Sequence, residues 1–359
     1  MQWKLSEEQD AYREALSGWL ADVAGPEQVR AWLEADDERG DHEPFEQRWN
    51  EGGMAGVGIA ESLGGQGGGV LELALTAEEL ARAGVPSSAW LATVLAVPLL
   101  ERHPDLVKAA VAGSPVALLV PSGHLPDAGP TVSMGADGRL SGHVLQVLAA
   151  DRAETLLVPV ESSAGPQLRI VSAGAAGLTI TPRRLLDRTR TLADVRLDGV
   201  VSEAVDGDPV VGLARVVDLA GVLVAADALG TMQRMLDLAV EYSLQRRQFG
   251  VPIGSFQAVK HAAASILVDL EAGRSGVYLA AASLEIDDAE APLRAAAVKA
   301  QVTAAASRAA DTALTMHGAI GYTWEHDLHL FYKRARLDEQ LFGAPKEWNE
   351  RLADRLQLV

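Results

Sequence analysis

Cysteine is absent from this 359-residue chain. That one absence removes disulfides, thiolate metal sites and a cysteine nucleophile together, and it suits a reducing, cytoplasmic compartment. Positive charge is scarce: 31 Lys and Arg face 49 Asp and Glu, for a net charge of −18. Such a surface repels the phosphates of nucleic acids and of anionic lipids, so neither is an expected partner. A highly anionic substrate would need a local basic patch. No long apolar run is free of charge. The most apolar, from Val210 to Leu229, carries Arg215, Asp218 and Asp227 and reads as a buried helix rather than a membrane span. The first residues, MQWKLSEEQD, are polar and acidic, unlike a secretory signal. No Gly-x-Ser-x-Gly elbow occurs, which argues against a serine hydrolase. The glycine run 64–69 lacks the Lys-Ser/Thr ending of a phosphate loop and reads as a turn.

What is present is a globular composition, 48% apolar, in a chain long enough for two or three structural units. From Ser6 to about Lys108 the pattern is helical. Leu16, Trp19, Leu20 and Val23 recur at helix-face spacing, behind a start signal of Ser6, Glu7 and Glu8. A helix over 71–83 is expected after the glycine turn. Between about Ser114 and Val201, short β-prone runs such as Val116–Val120, Thr155–Val160 and Leu168–Val171 alternate with Gly, Pro, Asp and Ser, as in a compact β-domain. After Asp206-Gly-Asp-Pro209, long Ala/Leu-rich segments (about 210–249, 255–285, 290–317 and 324–341) have the lengths of a helical bundle. The expected architecture is mainly α with a β-barrel: an N-terminal helical domain over 1–112, a middle β-domain over 113–206 and a C-terminal four-helix bundle over 207–359.

The segment Tyr242 to Lys260, YSLQRRQFGVPIGSFQAVK, carries the densest chemistry. The first bundle helix is expected to run through Phe249 and break at Gly250 and Pro252. A new helix is expected from Ser255, its hydroxyl capping the first-turn amides. Arg246 and Phe249, three residues apart, would then share one helix face. An arginine offers a planar fork of donors for pyrophosphate or carboxylate, Phe249 offers an aromatic wall, and Gln257 would sit where first-turn amides favour an anion. The residues alone leave ordinary roles open: an arginine capping carbonyls, a phenylalanine in a core, a solvated glutamine.

The whole string resembles the flavin adenine dinucleotide contact of acyl-CoA dehydrogenases: Arg-x-x-Phe-Gly, a short x-x-Ile-Gly loop, then Phe-Gln. Other stretches agree along nearly the full chain. Trp49 to Gly65 is similar to the family's tryptophan-to-glycine stretch, Glu78 and Glu79 to its acidic helix pair, and Asp187 to Val200 to the strand pair closing its β-domain. Met316-His-Gly-Ala-Ile-Gly-Tyr322 with Glu325 resembles the C-terminal turn, usually Gly-Gly where this chain has Gly318-Ala319. The resemblance implies three domains assembled as dimers of dimers. It also implies α,β-desaturation of an acyl-CoA thioester with FAD, and an electron-transfer-flavoprotein-type acceptor. In the family it resembles, each flavin lies across a subunit boundary. The residues implied in gripping its adenosine-diphosphate end are Arg246, Gln248, Phe249 and Gln257, with Thr315, Met316, His317, Gly318 and Ala319; Thr315 replaces the usual glutamine.

The same resemblance exposes a gap. The family's base is a glutamate, in a Tyr-Glu-Gly-Thr segment or in the first bundle helix; the matching positions here hold Phe342, in Leu341-Phe-Gly-Ala344, and Ala220. Neither accepts a proton, so no catalytic residue is assigned. Asp338, Glu339 and Asp218 lie nearby and read as solvated or capping acids; Asp218 stands about 200° round the helix from Ala220. The ring-binding loop and tryptophan strand are also missing, replaced by Val120-Pro-Ser-Gly-His-Leu125 and Val144 to Ala150. The chain therefore reads as the glutamate-lacking partner of a glutamate-bearing subunit, probed against two alternatives: a self-sufficient homo-oligomer with a relocated base, and a flavin-free CoA-binding or scaffold protein. Similar heteromeric bacterial enzymes act on bulky thioesters such as steroid side chains. His317, His326 and His329 do not suffice for a metal site, and Lys333, Arg334 and Arg336 are expected to pair with Asp338 and Glu339.

Overall fold

A computed structural model describes residues 4–35 and 39–357. The chain opens with α1 (Glu7–Val23), started by a reciprocal cap. Ser6 Oγ accepts from the Gln9 amide and Gln9 Oε1 from the Ser6 amide, which leaves Leu16 and Leu20 facing inward. Next come α2 (Pro26–Glu34) and α3 (Glu43–Glu51), then the glycine-rich turn, α4 (Val70–Ala83), α5 (Ser88–Ala96) and α6 (Pro104–Val111). The turn needs its glycines. Gly64, Gly67 and Gly68 have φ of 87°, 74° and 83°, and a side chain on Gly65 would lie 2.1 Å from the Ile59 carbonyl oxygen.

The middle of the chain supplies β1 (Val116–Leu118), β2 (Val132–Met134), β3 (Leu140–Leu148), β4 (Thr155–Ser162), β5 (Gly165–Ser172), β6 (Leu178–Pro182), β7 (Leu192–Val200) and β8 (Glu203–Ala204). They form one curled sheet in the order β6-β7-β3-β2-β4-β5-β8, with β1 added parallel to β4. In β3, inward Leu140 and Val144 alternate with exposed neighbours until the register with β7 shifts between Val144 and Val147. Gln146, at φ 56°, absorbs that bulge.

The C-terminal region holds α7 (Pro209–Gln245), a small hairpin of β9 (Arg247–Gln248) and β10 (Val251–Pro252), α8 (Gln257–Glu285), α9 (Ala291–His317), α10 (Leu328–Gln340) and α11 (Pro345–Arg355). Asp208 caps α7 by accepting from the Val210 and Val211 amides. α7 is long and apolar enough to cross a membrane. It is instead the centre of the bundle, buried without interruption from Val216 to Met232 and packed against α4, α8, α9 and α10. The bundle boundaries differ from expectation at the hairpin. α7 stops at Gln245, four residues early, because Arg246 turns to extended geometry and 247–252 pairs with itself. α8 starts at Gln257, and the Ser255 hydroxyl donates to the Pro252 carbonyl instead of capping it. The terminal helix α11 was not anticipated as a separate element.

A buried charge cluster binds the three parts together. Arg334 donates to both Asp227 oxygens at 2.7 Å, to the Val85 carbonyl and to the Ser87 and Thr189 hydroxyls; Arg190 donates to Asp227 and Ser87. The partners come from α7, α10, the α4–α5 loop and the β6–β7 loop. The local pairing expected of 333–336 holds for Arg336 alone, which lies 3.9 Å from Glu339 and also pairs with Asp311. Arg334 reaches Asp227 instead, and Lys333 lies 3.9 Å from the Trp324 ring centroid. Asp338 is likewise no solvated acid: it is fully buried beside this cluster.

Candidate functional site

The hairpin between α7 and α8 presents its residues to solvent. Arg246 ends α7, its amide donating to the Tyr242 carbonyl and its own carbonyl accepting from the Ile253 amide. Phe249 and Gly250 make the tip at φ 51° and 82°. Arg246 and Phe249 therefore do not share a helix face. Phe249 is 93% exposed, touching Phe256 edge-on at 6.1 Å. Arg246, Gln248 and Gln257 are exposed too, and the Arg246 guanidinium has no protein partner among the described residues.

Against this hairpin packs the end of α9. A cavity of about 460 Å³ is lined on one side by Tyr242, Arg246, Gln248 and Ile253 and on the other by Thr315 through Ile320. The structure thus brings together Arg246, Gln248, Thr315, Met316, His317, Gly318 and Ala319; Phe249 and Gln257 stand outside its wall. Gly318 ends α9 at φ 66°, ψ −142°, a conformation essentially confined to glycine. Ala319 has no positive φ, so alanine serves where a second glycine is usual. His317 forms the floor. Its Nδ1 bonds the Ala313 carbonyl at 2.7 Å, and its ring stacks on Tyr242 at 4.8 Å with His326 edge-on at 4.5 Å. Burial pushes the His317 and His326 imidazoles below their ordinary range, and burial with the Lys333 charge takes His329 to about 4. His317 and His326 thus stack with Tyr242, while His329 packs edge-on against Trp324 at 4.6 Å. An exposed, unpaired guanidinium over a cavity floored by stacked rings fits the phosphates and adenine of a dinucleotide tail.

The segments expected to hold a flavin ring are bonded to one another. Phe342 is buried at φ 56°; its amide donates to the Ser122 carbonyl at 2.5 Å and its carbonyl accepts from Trp348 Nε1 at 3.0 Å. Ser122 in turn donates its amide to the Gln146 carbonyl. Beneath them, fully buried Lys299 donates to the carbonyls of Asp338 (3.0 Å), Gly343 (3.1 Å) and Glu339 (3.4 Å). Burial draws this ammonium down to about 7, with the charges of Asp338, Glu339 and Glu347 opposing. Trp348 fills the space behind, against Val217, Ala296, Ala300 and Leu125. This end does not fit an isoalloxazine ring. Lys299 and Trp348 carry no motif in the sequence, although a lone lysine in phase with Ala295, Ala296 and Thr303 is a signal for burial.

The three substitute acids have different fates. Asp338 is enclosed, and burial together with Asp227 pushes its carboxyl well up. Glu339 accepts from the Ser307 hydroxyl. Asp218 is no solvated acid either. It borders a 730 Å³ cavity between α4, α5, α7 and the α8–α9 loop, where burial raises its carboxyl to about 6 despite Arg351 at 3.8 Å. Ala220 is completely buried.

Known proteins share this architecture. Family models for the acyl-CoA dehydrogenase N-terminal domain and C-terminal domain match residues 6–105 and 216–356. Acyl-CoA dehydrogenase IpdE2 of Mycobacterium tuberculosis is 34% identical over 350 residues, covering 96% of each chain. Among solved structures, the ChsE4–ChsE5 complex from Mycobacterium tuberculosis aligns over 100% of both chains with a TM-score of 0.87 and 27% identity. A Tcur3481–Tcur3483 steroid ACAD variant aligns over 98% of both, with a TM-score of 0.87 and 26% identity. Helical domain, curled sheet and helical bundle, matched end to end, place this chain in the acyl-CoA dehydrogenase family of oxidoreductases.

Proposed function

We propose that this chain is the non-catalytic subunit of a heteromeric acyl-CoA dehydrogenase, lending its grip on the dinucleotide tail to an FAD whose ring and catalytic glutamate belong to a partner subunit. The observation that carries this is a contrast of exposure. Phe249, Arg246, Gln248 and Gln257 project outward from their own fold, whereas Phe342, Ser122 and Gly343 close on themselves. Arg246 and Gln248 border an open cavity, and Phe249 and Gln257 stand outside it, so this end is free to meet a cofactor shared with a neighbour. Bound FAD would supply the hydride acceptor for the substrate's β-hydrogen. In this chain Arg246 would hold phosphate oxygens, Tyr242 and His317 would support the tail, and nothing removes the α-proton. The ChsE4–ChsE5 complex and the steroid-acting neighbour support a two-component enzyme for a bulky thioester.

The test is flavin content. Produced alone, the chain is expected to be colourless; co-produced with a glutamate-bearing partner, the pair should hold one FAD per two chains, and Arg246→Ala should lower its retention at least tenfold. One FAD per chain in the protein alone would sink the proposal. A self-sufficient enzyme using Asp218 is the alternative, favoured by that acid's raised carboxyl and the large cavity beside it. It requires that stoichiometric flavin, and activity lost in Asp218→Asn.

A further inference from the structure

The 730 Å³ cavity beside Asp218 falls within the size range of small-molecule sites. Its walls are apolar and keep accessible surface. Leu63 of the glycine-rich turn, Val70 of α4, Val97 and Pro98 after α5, Leu284 of α8 and Pro292 of α9 all line it, and each is half-buried rather than enclosed. Apolar surface left wet around a concave space favours an occupant that removes it from water, at about 25 cal/mol per Å².

The mouth decides what kind of occupant can enter. Glu101, Glu285, Asp287 and Asp288 line it against a single guanidinium, Arg215. Three of these acids are already answered by the chain itself. Asp287 lies 3.9 Å from Arg215, Asp288 lies 2.7 Å from Arg294, and Glu285 accepts from the Leu71 amide. A cationic head finds those carboxylates taken, whereas an anionic head meets net negative charge at short range. The phosphates of a CoA ester would meet the same rim. Asp218 stands inside it, on α7, with Arg351 3.8 Å away; it keeps 9% of its side-chain surface and accepts no hydrogen bond among the described residues. It is therefore placed to receive a hydroxyl.

We infer that this cavity takes an uncharged apolar alcohol, its hydrocarbon body against the six apolar side chains and its hydroxyl donating to Asp218, and that it turns CoA esters away. The inference goes beyond the lending of a flavin grip and does not depend on it.

The test is a calorimetric titration of the full chain with three ligands that share an alkyl tail: decan-1-ol, decanoate and decanoyl-CoA. Saturable binding of decanol is expected, at least tenfold weaker for decanoate and absent for the CoA ester. Val70→Trp, which fills the space from a half-buried position, should abolish decanol binding, and Asp218→Leu should weaken it several-fold. Glu101 is exposed and has no ion pair among the described residues. Glu101→Lys should leave decanol binding unchanged and strengthen decanoate several-fold, a reversal that a merely structural role would not produce. The wild-type series and Glu101→Lys decide the matter even if the other two variants fail to fold. Decanoate or decanoyl-CoA binding as tightly as decanol, no saturation by decanol up to its solubility limit, or decanol binding unchanged in folded Val70→Trp or Asp218→Leu overturns the site.

Discussion

The hairpin at 246–252 and the turn at 341–344 are the two ends of what is one cofactor site in the family, and in this chain they have opposite characters. The hairpin is held by a few backbone bonds and leaves Arg246, Gln248 and Phe249 in solvent. The turn is pinned from every side, by Ser122, Trp348 and Lys299, around a buried Phe342. A surface residue can be dedicated to a partner at little cost to its own fold, whereas a closed interior serves its own fold first. Substitutions at the two ends should therefore separate stability from cofactor retention.

The largest loss is expected from the interior cluster near the closed end. Asp227→Ala would leave two buried guanidinium groups, Arg190 and Arg334, with Asp338 as their one adjacent carboxyl among the described residues. Breaking such a pair costs about 3–5 kcal/mol, enough to unfold a domain of ordinary stability. Denaturant midpoints should drop accordingly, or the variant should fail to accumulate; a loss below about 1 kcal/mol would mean the cluster does not tie the three parts together. Next comes Phe342→Glu, which restores the missing carboxylate. Because the site is packed against Ser122 and Trp348, the variant exchanges a buried ring for a charge, at a cost of about 3 kcal/mol. It should gain no dehydrogenase activity alone. Activity with flavin bound would show the closed end to be merely one substitution from function.

Much of this contrast was legible in the sequence, and its limits are instructive. The Arg246-to-Gln257 string and the loss of glutamate at 342 and 220 stood out because each is local, a matter of residue type at a known spacing. The helix α7 was legible from its apolar run, yet its end was placed four residues late. A two-residue strand pair such as 247–248 with 251–252 has no periodicity to read. Asp338 and Asp218 passed as solvated because burial of an acid depends on partners far along the chain. Asp227 and Arg190, which surround Asp338, are 111 and 148 residues away in sequence. That chemistry is set by the fold rather than by the neighbouring letters.

A subtler difference between the two ends is their response to pH. With its ammonium held near 7 in the fold and at the ordinary 10.5 when unfolded, Lys299 makes the unfolded chain bind more protons between those values. Stability should then rise with pH across that window, by up to about 1.4 kcal/mol per unit from this residue. Below 7 the penalty is fully present; above 10.5 it is gone. Lys333, also lowered by burial, adds to the upper part of the window, so the comparison with Lys299→Gln isolates the effect. That variant keeps donors for the carbonyls and loses the charge, and its unfolding free energy should be flatter between pH 7.5 and 9.5. An unchanged slope would mean the ammonium is solvated.

The smallest effect on stability belongs to the hairpin tip. Phe249 adopts a left-handed φ of 51° while 93% exposed, so the fold bears a backbone strain of about 1 kcal/mol for a side chain that it barely uses. Phe249→Gly should leave thermal stability unchanged or raise it by less than about 1 kcal/mol. The same substitution should weaken flavin retention in the assembled pair, since an aromatic wall would be missing from the shared site. Strain retained at an exposed position is intelligible when the benefit falls on a neighbouring molecule. If instead Phe249→Gly destabilises this chain by more than 1 kcal/mol and leaves the pair's flavin content intact, the ring is an internal support, and the distinction between a lent end and a kept end fails at its most exposed residue.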